Sequence, residues 1–204
     1  MRKGRASLSA SVALAAILAV ALAACAGVRP AASVAPQTTT PTLSAPVGDA
    51  STAPLVIDAS LLGILPTSVA GVALLPAPVT AAGIIADPML QTTAAAVAVG
   101  SVVAPGDSRG DDLAIATVIR LRPGVYSDAF YTRWRADYDA AACEPAGGIS
   151  SHVQQRIGQY PVEETVCVQG ARTYHTYLGG DLLISITAVG DRKFGDLVMA
   201  GLRQ

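Results

Sequence analysis

Apolar and polar positions alternate most cleanly over residues 113–121. Leu113, Ile115, Thr117, Ile119 and Leu121 share one side of an extended chain, and Ala114, Ala116, Val118 and Arg120 share the other. The second set is small and mostly apolar, so the pattern predicts a strand covered on both faces. Ser127 then predicts the N-cap of a helix running to about residue 142, with Tyr126 placed to meet Tyr131 across the cap. Four further strands are expected over 152–157, 162–168, 172–178 and 182–188. Gln169-Gly170 and Gly179-Gly180 have the spacing of two-residue hairpin turns, in which glycine supplies positive φ. A last helix is expected after Gly190 with Asp191 as its cap. Its residues Phe194, Leu197, Val198, Gly201 and Leu202 form one apolar stripe.

Upstream the signals are shorter. Ser60-Leu61-Leu62 predicts a helical turn that Leu65-Pro66 ends, because the residue before proline is pushed out of the helical region. Residues 72–75 predict a strand, and Asp87-Pro88 a helix start, with the helix continuing to about Val97. Residues 98–112, with Gly100, Pro105, Gly106 and Gly110, read as a loop. This order does not alternate as a parallel α/β fold does. It predicts an α+β domain: a mostly antiparallel sheet with about three packed helices.

The N-terminal segment is of another kind. A basic head, Met1 to Arg5, precedes an apolar run of 13 residues from Val12 to Ala24, shorter than the roughly 20 needed to span a bilayer. Basic head, short apolar run and small residues before a cut site make a secretory signal peptide. Leu22-Ala23-Ala24-Cys25 resembles the lipobox of bacterial lipoproteins. The resemblance covers the first 25 residues. It implies that residues 1–24 are removed and that Cys25 becomes the lipidated first residue, carrying diacylglycerol on sulfur and often an acyl chain on its amine. Residues 25–54 then read as a tether, with prolines at 30, 36, 41, 46 and 54 and no helical or strand periodicity. A flexible tether of this length spans about 30 Å. Residues 55–204 are left as a single domain. Its alanine-rich composition resembles that of lipoproteins of high-GC bacteria, a likeness that carries over no activity.

Charge and cysteine use fit this organisation. Removing Arg2, Lys3 and Arg5 from 14 basic residues leaves 11 against 15 acidic ones, a net charge near −4. That balance argues against nucleic acid or an anionic lipid surface as partner. The expected link to the membrane is through the acyl chains on Cys25, with an extracytoplasmic protein or glycan as the other partner. Cys143 and Cys167 remain. They have no C-x-x-C spacing and no histidine nearby in sequence, so a disulfide is favoured over a metal pair or a reactive thiol.

Candidate chemistry is sparse. Reading the two hairpins as two-residue turns sets Glu164 opposite His175, on a face shared with Val162, Thr173, Tyr177 and Ile184. Such a pair could act as a general base, or be structural, and a single bulge would exchange the faces. The same register puts Cys167 on the face opposite Val166. Its meeting with a helix end then requires helices on both faces, a bridge at a sheet edge, or a register shifted by one. Asp107, Asp111 and Asp112 crowd one loop around Arg109-Gly110-Asp111. Their spacing fails the EF-hand order, and a solvated turn is expected. Phe130, Trp134 and Tyr138 recur every four residues as an aromatic ridge. The ridge is either the buried face of its helix or a platform for sugar or peptide, and burial is expected. No phosphate loop, G-x-S-x-G, H-E-x-x-H or dinucleotide fingerprint occurs. The expectation is a lipid-anchored extracytoplasmic protein with a non-catalytic binding or envelope-associated domain and no cofactor or metal. Its rival is a cell-envelope hydrolase using His175 with Glu164.

Overall fold

The computed structural model describes residues 53–107 and 109–203. The signal peptide, Cys25 and nearly all of the expected tether lie outside them. In chain order the elements are β1 (Val56–Ile57), a 3-10 turn (Ala59–Ile64), β2 (Ser68–Val69), β3 (Val72–Ala73), β4 (Leu75–Pro76), α1 (Pro78–Ile84) and α2 (Pro88–Thr93). There follow β5 (Ala94–Val103), β6 (Leu113–Leu121), α3 (Asp128–Cys143), β7 (Ile149–Ile157), β8 (Tyr160–Cys167), β9 (Arg172–Gly179), β10 (Leu182–Val189) and α4 (Phe194–Ala200). The fold is α+β. One sheet runs β1-β5-β6-β10-β9-β8-β7, with β4 also on β5, and β2 and β3 form a separate hairpin. Apart from the parallel β1–β5 pair, the sheet is antiparallel.

The alternation of β6 becomes a strand buried on both sides, with Thr117, Val118 and Ile119 all nearly inaccessible. One face carries the larger core. Ala96, Ala98, Ala114, Ala116 and Ala188 give it a shallow floor, onto which Leu61 and Leu65 of the 3-10 turn and Phe194, Val198 and Met199 of α4 pack. The opposite face meets α3 through Val97, Ile119, Leu121 and Leu183, which contact Phe130 and Trp134. Ser127 caps α3 by accepting from the Phe130 amide at 3.1 Å. Tyr126 lies 6.3 Å from the Tyr131 ring and also stacks on Tyr177 at 3.6 Å.

Three local expectations are corrected. The helix from Asp87 stops at Thr93, and residues 94–103, expected as helix end and loop, form β5. Alanine has the highest helix propensity, but propensity is a weak determinant and here the sheet overrides it: β5 pairs along its length with β6. Asp191 does not cap α4. Lys193 holds the N-cap position at φ 54, with no side-chain hydrogen bond. Both hairpins also differ from the two-residue reading at the expected positions. The Cys167 amide donates to the Ala171 carbonyl at 2.8 Å around a three-residue loop. The second turn is Gly180-Asp181, both residues at positive φ, with a register shift between Leu182 and Leu183.

Candidate functional site

Those turns decide which side chains meet. Glu163, not Glu164, is opposite His175 on β8, and Ser185, not Ile184, is opposite it on β10. The expected Glu164–His175 pair is therefore not formed, because adjacent strand residues face opposite sides of the sheet. The same one-residue correction removes the difficulty over Cys167. It shares the α3 face with Thr165 and is bonded to Cys143 at the end of α3, with S–S 2.01 Å and Cα–Cα 5.1 Å.

Beneath α3 the odd-numbered residues of β8 and β9 build a buried polar cluster. At its centre is Asp139 of α3, which is fully buried, as is His175. Asp139 accepts from His175 Nε2 at 2.7 Å, from the Thr165 hydroxyl at 2.6 Å and from the Thr173 hydroxyl. Burial alone would raise the Asp139 pKa. The bonds from His175, Thr165 and Thr173 outweigh it and hold the carboxyl below its usual range. Since Thr165 donates to Asp139, it accepts from Nδ1 of the exposed His152 at 2.8 Å, which links the cluster to the surface. Trp134 and Tyr138 close over His175 edge-on, with ring centroids 5.3 Å and 5.0 Å away. Tyr138 reaches Thr187 at 2.9 Å, and Arg135 pairs with Glu163 at the margin.

His175 Nδ1 and Ser185 Oγ have no hydrogen-bond partner among the described residues. Ser185 Oγ is not hydrogen-bonded to His175, and Asp139, His175 and Ser185 are all inaccessible, so the three do not form a nucleophilic relay. The aromatic ridge is part of the same seal. Phe130 and Trp134 are buried in the core and Tyr138 is partly buried, so the ridge offers no open platform. In the aspartate loop, Asp107 accepts from the Arg109, Gly110 and Asp112 amides, which lowers its pKa, and Arg109 pairs with Asp111. That is the bonding of a turn.

Glu164 lies on the other face, opposite Tyr174. It is 5% exposed and bonded by Arg172 and Gln155. It forms the floor of a cavity of about 440 Å³ beside Tyr174, under the loop from β10 to α4. The Glu164 bond is the main reason the Arg172 pKa is raised. Burial and the neighbouring Asp196 carboxylate push the Tyr174 phenol up. Gly195 lets α4 pack closely on this tyrosine: a Cβ there would lie 2.3 Å from the Tyr174 ring. The lining residues are scattered over four strands, two loops and the start of α4 and share no linear spacing. Comparison with models of protein families, with curated proteins and with solved structures finds no match for the chain.

Proposed function

We propose that the protein is a lipoprotein held by acyl chains on Cys25 at the extracytoplasmic side of a membrane, where residues 55–204 serve as a non-catalytic binding or envelope-associated domain. The observation that carries this reading is the Cys143–Cys167 disulfide, which ties the end of α3 to the end of β8. Such a bond persists outside the reducing cytoplasm. The lipobox-like Leu22-Ala23-Ala24-Cys25 supplies the route and the anchor. Two acyl chains are about what stable anchoring requires. The sealed Asp139–His175 cluster favours a structural role for the histidine that a hydrolase would need.

Substituting Cys25→Ala tests the anchor. The parent is expected to incorporate labelled fatty acid and to fractionate with membranes. The variant is expected to do neither and to keep its signal peptide. Equal labelling of the two would remove the assignment.

A further inference from the structure

We infer that the cavity beneath the β10–α4 loop binds a sugar unit of a glycan. This rests on the reading of the domain as an extracytoplasmic binding module and names what that module takes. The cavity's volume, about 440 Å³, lies within the range of small-molecule sites. Its floor is polar and fixed. Gln155 and Arg172 each donate to Glu164, whose carboxylate is almost wholly buried.

The chemistry of the wall narrows the ligand. Arg172 uses Nη1 on Glu164, and its side chain is 49% exposed, leaving further guanidinium donors for a ligand. Lys193 adds an ammonium from a left-handed backbone position, φ 54, that a lysine adopts only under constraint. Asp191 and Asp196 supply carboxylates on the same wall. Two cations against three carboxylates disfavour a simple anion. The polar lining disfavours an apolar ligand. Donors and acceptors set side by side suit vicinal hydroxyls, each of which donates one hydrogen bond and accepts others. Charge-assisted bonds to such hydroxyls are the stronger kind.

The test uses the full mature chain in a detergent without a sugar headgroup. Backbone amide shifts are followed as glucose, N-acetylglucosamine, alanylalanine or inorganic phosphate is added. A saturable shift at Gly170, Gly190 and Phe194 with at least one of the two sugars is expected. Lys193→Gly relieves the positive φ, so its fold is expected to hold while sugar affinity falls about tenfold. Arg172→Lys, which keeps the charge and loses the fork, should weaken binding as well. No saturable shift with either sugar, shifts confined to other residues, or binding of the dipeptide or phosphate alone would overturn the inference. So would sugar binding that is unaffected in both variants. Failure here leaves the Cys25 labelling result standing, and failure of that labelling leaves this titration readable.

Discussion

Replacing Asp139 with alanine is expected to destabilise the domain by several kcal/mol, since each buried donor left without its acceptor costs about 1–3 kcal/mol. Three donors converge on this carboxylate: His175 Nε2 and the hydroxyls of Thr165 and Thr173. Alanine would leave all three buried beneath Trp134 and Tyr138, with no water to replace the lost acceptor. Asp139→Asn keeps an acceptor for His175 and Thr173 and should cost less. The two variants separate charge from shape. Because the folded pKa of Asp139 is lowered, its contribution is present above the unfolded value of about 3.9 and is lost as pH falls through the folded value. Urea unfolding across that acid range should therefore show a stability decline in the parent that is reduced in Asp139→Asn. An identical pH dependence in both would show that the carboxylate is not what the cluster is built around.

The second large effect is expected at Trp134. Its indole is 5% exposed, lies against the His175 ring and packs with Phe130, Ile119 and Leu183. Truncation to alanine should cost about 3–5 kcal/mol. Arg133→Ala and Asp137→Ala, on the exposed side of α3, should stay within about 0.5 kcal/mol of the parent. As the one tryptophan of the chain, Trp134 also reports directly on its surroundings. Blue-shifted emission that acrylamide quenches poorly is expected. Emission like that of free tryptophan from a folded domain would place the ridge in solvent instead.

The class of fold was legible because its strongest signals are local. The alternation of β6 and the Ser127 cap of α3 each need only a few neighbouring residues to read. β5 was hidden, since Ala94 to Val99 is as compatible with helix as with strand until its pairing with β6 is known. The pairing of His175 was misread for a sharper reason. Side-chain facing has period two, so one added residue in the Cys167–Ala171 turn moved Glu164 away and brought Glu163 opposite it. Asp139, the centre of the cluster, gives no sequence signal. A single aspartate on an otherwise solvent-marked helix looks exposed until the sheet beneath it is in place. The cavity around Glu164 is less legible still, because it is assembled from β7, β8, β9, β10, the turn between β8 and β9, the loop before α4 and α4 itself.

One mass spectrum reports both where the domain is held and in what state. The protein should be extracted from host membranes, alkylated without reduction and measured intact. A chain is expected that begins at Cys25, carries diacylglycerol there, and takes up no alkylating agent at Cys143 or Cys167. A chain that retains Met1, an unmodified Cys25 or alkylated Cys143 and Cys167 would contradict that expectation.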